Sequence, residues 1–296
     1  MKTKKLLPIA FALVVMLQGC DKIEGPYSEG NNGGGVVDTS CADLTGIDSL
    51  NNDTLQRVLL EEYTGHTCTN CPAAHQAAQS LHALYGDQLV IVAIHCGSYA
   101  RIESHPDSSY HYDWRTTTGN DIYGRYLLTS QSFPTGCVQR TKNSANIYAT
   151  AHGAWGASIA PYITQKPAAK LRITNTYNAA NRTITSTINT GFLKDIPASL
   201  NLTVLYTEDS IIKWQKNGSF NDPNYLHRHA LRGTLNGSIG AVLCKSFLSG
   251  QSYTQTYSSD AMRSDIVPEH VSVVAILYNT NTPWEVVQVA EKKLLP

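Results

Sequence analysis

Hydrophobic and polar residues follow two different patterns along this chain, and the change from one to the other falls near Pro167. Before it, residues 55–63 contain a short apolar run that predicts a buried strand, and residues 72–85 place apolar side chains at helical spacing. Residues 89–94 are all apolar and mostly branched, which is typical of a parallel strand buried on both faces. A strand, a helix and a second strand in this order predict a βαβ unit.

Between this unit and Pro167 the pattern is less regular. Residues 97–132 form a polar insertion with a short helix near 120–128, residues 134–139 predict a strand, and residues 145–165 predict either a strand and a helix or one helix. After Pro167, apolar residues recur at every second position, which indicates half-buried strands. About seven or eight such strands over about 130 residues are typical of an immunoglobulin-like β-sandwich.

The first residues resemble a bacterial lipoprotein signal peptide. A basic start precedes the apolar run 6–17, which is shorter than a membrane-spanning helix and ends at Leu17-Gln18-Gly19-Cys20. A cysteine at this place accepts lipid in bacterial lipoproteins, and its acyl chains suffice for stable attachment. We therefore expect cleavage before Cys20 and lipid on that residue. The alternative is an ordinary secretory signal peptide beside a chance cysteine, and it too predicts export.

These features divide the chain into four predicted segments. The glycine-rich stretch 25–37 is too polar to form a core and is typical of a flexible tether. The predicted segments are a signal peptide at 1–19, a lipid-anchored linker at 20–40, an α/β domain at 41–167 and an all-β domain at 168–296.

The charges are balanced, at 23 basic and 23 acidic residues, and no basic cluster follows the signal peptide. Nucleic-acid binding usually requires a basic patch, so nucleic acid is excluded as a partner. No cofactor is predicted either.

The motif Cys68-Thr69-Asn70-Cys71 lies between the first predicted strand and the helix. A C-x-x-C motif at this point of a βαβ unit is typical of thiol redox sites. The unpaired N–H groups and the dipole of the helix N-terminus favour the thiolate form of Cys68, which we expect to be the attacking nucleophile. Cys71 is close enough in sequence to resolve a mixed disulfide on Cys68.

Residues 55–165 resemble the thioredoxin fold, and the resemblance adds two residues to the site. The segment 132–135, Ser-Phe-Pro-Thr, resembles the cis-proline loop of thioredoxins, which implies that Pro134 packs against the disulfide. Glu62, six residues before Cys68, matches the buried acid that assists proton transfer in that family.

The motif also departs from thioredoxins, because Thr67 replaces their tryptophan and Thr69-Asn70 replaces their Gly-Pro pair. The reduction potential and the direction of exchange therefore do not follow from the sequence. The insertion before Pro134 is a candidate cover for the site.

A narrower resemblance extends over most of the chain after the signal peptide. Residues 62–72 and 226–233 resemble the outer-membrane-protein-28 lipoproteins of Bacteroidetes, whose members join a thioredoxin-like domain to a C-terminal β-domain. This resemblance implies attachment to the outer membrane, whereas Asp21 retains lipoproteins at the inner membrane in some bacteria. We favour the outer membrane. Adhesion is an alternative role that the family suggests.

Two other interpretations of the same cysteines remain open. Cys68, Cys71 and His75, with His66 nearby, have a spacing that is compatible with a metal site. Alternatively, the cysteines form an inert disulfide in a thioredoxin-shaped module for binding or adhesion, because a fold does not fix a function.

Other histidines and aromatic residues are given no role. His227 and His229 alternate on one predicted strand and are expected to lie at the surface. Tyr110, Tyr112 and Trp114 are interpreted as local core in preference to an exposed contact strip.

Six cysteines remain if Cys20 carries lipid, and an even number permits disulfides in an oxidising compartment. Cys96 and Cys137 are expected on strands that the motif strand separates, so they should not bond each other. A bond from Cys41 to either of them, or from Cys244 to the first domain, remains open. We favour a free Cys244, because it ends an apolar run where a buried thiol is stable.

The sequence thus predicts a lipid-anchored envelope protein with an α/β thioredoxin-like domain followed by a β-sandwich. Its predicted reaction is thiol-disulfide exchange at Cys68 and Cys71, assisted by Pro134 and Glu62. The predicted partners are other envelope proteins that carry thiols or disulfides.

Overall fold

The computed structural model describes residues 55–104, 109–126, 132–244, 247–280 and 284–296. The predicted signal peptide, lipid site and linker lie outside these residues, as does Cys41. No helix among the described residues is both long and apolar enough to cross a membrane.

The first part of the described chain alternates strands and helices. The predicted βαβ unit is confirmed, since the first two strands are parallel neighbours on either side of the first helix. The elements are β1 (Val58–Thr64), α1 (Cys71–Tyr85), β2 (Leu89–His95), α2 (Thr117–Tyr126), β3 (Thr135–Val138) and α3 (Trp155–Ile163).

The remaining described chain is built from strands. Its elements are β4 (Ala169–Asn178), β5 (Thr183–Phe192), β6 (Leu200–Glu208), β7 (Ile211–Asn217), β8 (Phe220–His227), β9 (Ala230–Thr234), β10 (Ala241–Cys244), β11 (Ser252–Ser258), β12 (Val271–Asn279) and β13 (Val286–Lys293).

The described strands form three sheets. The largest is a mixed sheet of eight strands in the order β13-β12-β6-β9-β2-β1-β3, with β10 paired to β6. The second is an antiparallel sheet in the order β11-β5-β4, and the third is the hairpin β7-β8. Strands from both sides of the predicted domain boundary at 167–168 therefore share one sheet, and the boundary itself stays a prediction.

One face of the β1–β2 part of the large sheet is covered by helices. Val58 and Leu60 on β1, with Leu89 and Ile91 on β2, share a core with Trp155 of α3. Small residues of α1 complete this core. Each large apolar side chain buried here contributes about 1.5–3 kcal/mol to stability.

The opposite face of β1 and β2 packs against another part of the same sheet. Leu59, Val90 and Val92 lie in one core with Leu205 of β6 and Ile276 of β12. Residues from distant strands of a sheet meet in this way when the sheet is strongly twisted and curved. The N–H of Val286 on β13 also donates to the carbonyl of Gln139, directly after β3, so the two ends of this sheet lie close together.

The three-stranded sheet covers the outer face of β6 and β12. Leu171 and Ile188 from β4 and β5 pack with Leu202 and Val273 from the large sheet. The strands predicted after Pro167 are thus confirmed. β4 and β5 are half-buried with alternating burial, whereas β6 and β12 are buried along almost their whole length, contrary to the prediction. The chain as described is mostly β-sheet with few helices. The thioredoxin-like and immunoglobulin-like classes remain predictions.

The sequence pattern does not predict β7, because the residues of this strand are mostly half-buried or exposed without regular alternation. The sequence pattern predicts one strand near residues 225–235, but the structure has two strands there, the end of β8 and all of β9. The chain turns between them at Arg228-His229, where His229 has a positive φ of 51°. The hairpin β7–β8 is therefore not part of the large sheet and forms a separate two-stranded sheet.

Of the two alternatives for residues 145–165, the structure has an extended segment that pairs at Thr150 followed by a helix, not one long helix. The side chain of Asn143 accepts hydrogen bonds from the N–H groups of Ala145 and Ile147, which forms a local turn that competes with a helix. Thr150 then pairs its backbone with Gly136. Only the last part of the segment is left to form α3.

Candidate functional site

The C-x-x-C motif lies in the turn between the end of β1 and the start of α1. Its cysteines form a disulfide with their Cα atoms 5.4 Å apart, and α1 begins at Cys71 itself. The N–H of Cys68 donates to the carbonyl of Gly65 at 3.1 Å, and the N–H of Cys71 donates to the carbonyl of Cys68 at 3.3 Å. The turn holds both cysteines at the positive end of the helix dipole.

The disulfide is almost completely covered. Cys68 is 3% exposed and Cys71 is 2% exposed, whereas Thr69 and Asn70 between them are exposed. An attacking thiol must reach a sulfur atom. Exchange with a protein partner therefore requires movement of the cover.

The hairpin β7–β8 lies against the motif loop and forms part of this cover. The N–H of Lys216 donates to the carbonyl of His66 at 2.8 Å, and the N–H of Gly218 donates to the carbonyl of Thr69 at 2.9 Å. The predicted insertion before Pro134 is therefore not the only segment over the site.

Gln215 of β7 strengthens this attachment. Its side chain is buried, and its Nε2 donates to the carbonyl of Cys68 at 3.0 Å and to that of Gly65 at 3.3 Å. A hydrogen bond of this kind contributes about 0.5–1.5 kcal/mol. The side chain joins the hairpin to the backbone of the first motif cysteine.

The proline loop reaches the motif through Tyr99. The Phe133–Pro134 peptide bond is cis, and Pro134 directly precedes β3. The ring of Phe133 lies 5.6 Å from that of Tyr99, whose carbonyl accepts bonds from the N–H and the hydroxyl of Thr67, both at 3.1 Å. Direct packing of Pro134 on the disulfide stays a prediction.

Glu62 lies on β1 and is fully buried. Its Oε2 is 3.5 Å from Nδ1 of His75 on α1, and neither carboxylate oxygen has a hydrogen-bond partner among the described residues. A buried carboxylate is costly unless it is paired and hydrogen-bonded. An unpartnered one beside a redox motif is a candidate for proton transfer.

The neighbouring Glu61 is paired instead. The Nε and Nη2 atoms of Arg140 donate to its Oε1 at 3.0 and 2.7 Å, and the hydroxyl of Tyr63 donates to its Oε2 at 3.4 Å. Both charged side chains are buried. This ion pair is structural, and it leaves Glu62 as the carboxylate that is available to the site.

Three histidines converge beside Cys71. His75, His95 and His227 line a cavity of about 10 Å³ together with Cys71. Each has a buried ring nitrogen without a hydrogen-bond partner among the described residues, namely Nε2 of His75, Nδ1 of His95 and Nε2 of His227. The cavity is therefore lined by polar atoms that have no other described partner.

Two of these histidines are neutral at neutral pH. Burial lowers the pKa of His95 well below its usual value, and burial lowers the pKa of His227 from 6.5 to about 3. The ring of His95 stacks on that of Trp114, with centroids 4.3 Å apart and planes 15° apart. Each neutral imidazole offers one donor and one acceptor in a fixed position.

The metal interpretation involves Cys68, Cys71, His75 and His66. Nε2 of His66 is 2.8 Å from the carbonyl oxygen of Arg101, so this nitrogen is already engaged. Among the residues that the structure describes, no group of three or more His, Cys, Asp or Glu side chains is arranged to hold a metal ion.

The predicted surface position of His227 and His229 is wrong. They are 3% and 9% exposed, because the hairpin folds back over the site and the turn after it packs against α1. The core interpretation of Tyr110 and Trp114 is confirmed, since they are 2% and 1% exposed, while Tyr112 is half-buried.

Two cysteines outside the motif are buried and free. Cys96 and Cys137 are not bonded to each other, as predicted. Burial raises the pKa of both thiols, which makes them unreactive. Cys41 and the side chain of Cys244 lie outside the described residues, so the preference for a free Cys244 stays a prediction.

Sequence reasoning missed Gln215, His95 and His227 as site residues. His95 directly ends the apolar run of β2, and a polar residue at the end of a parallel strand is a common signal of a site. Gln215 cannot be found in this way, because the sequence pattern does not predict β7, the strand on which it lies.

Known proteins give two informative matches. A family model described as outer membrane protein Omp28 matches residues 121–295, and no curated protein matches the chain. HBP35 of Porphyromonas gingivalis has a similar structure, with a TM-score of 0.60, 18% identity, and coverage of 81% of this chain and 76% of that one. Identity this low indicates a shared fold alone.

A further structural match is to the curli protein CsgC of E. coli. It has 9% identity and covers 43% of this chain and 99% of that one, but its TM-score of 0.20 is too low to support an argument.

Proposed function

The chain belongs to the Omp28 family of outer membrane proteins, and we propose that it is a lipid-anchored envelope protein that exchanges disulfides with other envelope proteins. The matched residues 121–295 include Pro134 and the hairpin but not the motif cysteines. The reaction is therefore argued from the site.

The observation that carries the proposal is the Cys68–Cys71 disulfide at the start of α1. The loop that contains Pro134 precedes β3, the strand beside β1, and the buried Glu62 lies on β1 itself. These features together support a thioredoxin-like site. A helix N-terminus favours the thiolate that exchange requires.

Exchange proceeds through a mixed disulfide. When the reduced site acts on a partner disulfide, the Cys68 thiolate attacks one sulfur and the other leaves as a thiolate. Cys71 then attacks Cys68, the site disulfide forms, and the second partner sulfur leaves. Two electrons pass to the partner, and the reverse sequence oxidises a partner dithiol.

Attachment through lipid on Cys20 completes the proposal. The Leu17-Gln18-Gly19-Cys20 sequence supports it, and Cys20 lies outside the described residues. Membership of an outer membrane family supports the outer membrane over the inner one.

The burial of the disulfide favours a second candidate function, a non-catalytic binding or adhesion scaffold. Both cysteines are at most 3% exposed, as in a structural disulfide. The hairpin above them exposes large apolar side chains, with Ile212 at 60% and Phe220 at 61%, and such residues are common in contact surfaces.

Thiol reactivity of the reduced full chain distinguishes the two functions. We expect Cys68 to be alkylated faster than Cys71 and the reduced protein to reduce insulin. Cys68→Ser should abolish insulin reduction, whereas Cys96→Ala, which removes a buried thiol outside the motif, should leave it unchanged. Slow and equal alkylation of both motif cysteines, without insulin reduction, would support the scaffold instead.

A further inference from the structure

We propose that a pocket between the hairpin β7–β8 and the insertion before Pro134 recognises partner proteins by an acidic side chain next to their reacting cysteine. This inference rests on the proposed exchange reaction and names the chemistry of the partner segment that binds beside Cys68. The pocket is lined by residues outside the C-x-x-C motif, so its role does not follow from the motif.

The pocket lies beside the motif loop. Its volume is about 390 Å³, and pockets that bind ligands typically have about 300–1,000 Å³. Its walls are His66 of the motif loop, residues 110–112 of the insertion, and residues 212–214 and 223 of the hairpin. His66 is two residues before Cys68, and two residues of extended chain span at most about 7 Å. We therefore expect a partner residue in the pocket to lie within two or three residues of the partner cysteine.

The tyrosine side chains of the pocket are held in place before any partner binds. Tyr110 is 2% exposed, and its hydroxyl donates to Oδ1 of Asn221 at 2.8 Å. The hydroxyl of Tyr112 donates to the carboxylate of Asp265 and accepts from Arg232. A preformed surface of this kind loses less conformational freedom on binding.

Lys213 supplies a charge that its surroundings do not match. Its side chain is exposed, and it forms no ion pair with any carboxylate among the residues that the structure describes. The neighbouring basic groups differ, because Lys216 is 3.6 Å from the carboxylate of Glu103 and Arg263 is 2.9 Å from that of Asp265. The pocket therefore has one ammonium group available for an anionic ligand.

A carboxylate next to an apolar or aromatic side chain fits this arrangement. Burial lowers the pKa of His66, so Lys213, and not this ring, is the cation that a bound group meets. A partner Asp or Glu pairs with Lys213, while Tyr112 and Trp214 offer the aromatic contact surface that is common at interfaces. A partner Lys or Arg is repelled at the same place, so the pocket discriminates between partners by charge.

The pocket is accessible while the disulfide is covered. Of its lining residues, His111, Ile212, Lys213 and Pro223 are exposed, whereas both motif cysteines are buried. A partner can therefore bind to the oxidised, closed form and stay close to the motif at a high effective concentration until the cover moves.

Fluorescence anisotropy with the oxidised full chain tests the pocket without requiring exchange. The probes are the rhodamine-labelled peptide Gly-Ala-Glu-Tyr-Ser-Ala-Gly, in which Ser stands for the reacting cysteine, and the same peptide with Lys in place of Glu. We expect wild type to bind the Glu peptide about fivefold or more tightly than the Lys peptide at low salt, because the change replaces attraction by repulsion.

Two variants of Lys213 show whether this side chain causes the preference. Lys213→Glu should prefer the Lys peptide, and this gain of binding also shows that the variant is folded. Lys213→Gln removes the charge alone and should bind both peptides equally. Lys142→Glu is the matched control, because Lys142 is another exposed lysine over a tyrosine ring, 5.6 Å from that of Tyr148, and it lies outside the pocket. It should keep the wild-type preference.

Three results would overturn the proposal, namely equal binding of both peptides by wild type, an unchanged preference in Lys213→Glu, and tighter binding of the neutral sugar maltotriose than of the Glu peptide. The outcomes are separate from those of the exchange reaction. A chain with the charge preference that does not reduce insulin would keep the pocket and lose the exchange function. A chain that reduces insulin without the preference would keep exchange and lose the pocket.

Discussion

Glu62, His95 and His227 each keep a polar atom buried without a hydrogen-bond partner among the described residues. Leaving such an atom unpaired typically costs about 1–3 kcal/mol. All three side chains lie next to the motif, whereas Glu61 on the same strand is fully paired with Arg140. Other buried polar atoms without a described partner, on Asn201, Thr203 and Tyr253, lie elsewhere in the fold, so this cost is shared between the site and the β-rich part.

The buried histidines make stability depend on pH. The pKa of His227 falls from 6.5 to about 3 on folding, so the unfolded chain binds more protons between these values. The contribution is fully present above pH 6.5 and is lost as the pH falls towards 3. We expect the free energy of unfolding to drop by on the order of a few kcal/mol over this interval.

Urea titrations at several pH values check this expectation. His227→Gln should flatten the acid loss, whereas His152→Gln, which changes a histidine of the loop before α3, should not. An identical pH dependence of wild type and His227→Gln would show that burial of His227 is not its cause.

The Glu61–Arg140 pair gives a prediction about stability alone. Arg140→Met leaves the Glu61 carboxylate buried without its charge partner, and the cost of such a change is about 3–5 kcal/mol. Arg115→Met breaks the exposed pair with Asp113 and should cost at most about 1 kcal/mol. Denaturant unfolding measures both, and equal costs would contradict the structural role of the buried pair.

Among single residues, the sequence identifies those site residues that lie close to one another along the chain. Cys68, Cys71 and Glu62 are found from the motif and its spacing. Gln215 and His227 are not, because they reach the motif only after some 150 residues of intervening chain have folded back, as the bond between Gln215 and Cys68 shows.

Among the elements, the hairpin β7–β8 forms part of the cover over the disulfide. It is joined to the motif loop by the backbone of Lys216 and Gly218 and by the side chain of Gln215. Its strands pair only with each other in the described sheets, while Asn221 accepts a hydrogen bond from Tyr110 and Lys216 lies 3.6 Å from Glu103. Such a small unit can open locally while the large sheet stays folded.

Removing the Gln215 side chain should make opening easier. Gln215→Ala loses bonds worth about 1 kcal/mol, so we expect the Cys68–Cys71 disulfide to be reduced about five- to tenfold faster by dithiothreitol. The exposed Gln165→Ala is the control and should react at the wild-type rate. No acceleration in Gln215→Ala would mean that the hairpin does not limit access.

The elements with a regular pattern are those that sequence predicts. The apolar run at Leu89 and the helical spacing after Cys71 mark β2 and α1 nearly to their ends. β7 and the irregular stretch after Asn143 have no such pattern, because side-chain hydrogen bonds and contacts with distant strands decide their conformation.

For the whole molecule, the order of the strands in the large sheet is the feature that cannot be predicted from the sequence. The pairing of β2 with β9 is a single bridge at Ala93 and Ala230, yet it joins the first strands to the later ones. A single bridge of this kind produces no recognisable pattern in the sequence of either strand. It nevertheless brings β8 and His227 to the motif.

The proposed anchor predicts a mature chain that begins at a lipidated Cys20. Mass spectrometry of the N-terminal peptide from the membrane fraction should find acyl chains on this residue, because each buried methylene adds about 0.8 kcal/mol of membrane affinity. Cys20→Ser should move the protein to the soluble envelope fraction. An unmodified N-terminus well beyond Cys20 would rule out the anchor.

Capture of partners in cells tests the central claim most directly. Cys71→Ser removes the thiol that resolves the mixed disulfide, so we expect this variant to accumulate disulfide-linked complexes with envelope proteins on non-reducing gels, and reduction should release them. Cys68→Ser lacks the attacking thiol and should form none. Complexes with neither variant, or the same complexes with both, would contradict disulfide exchange through Cys68 and Cys71.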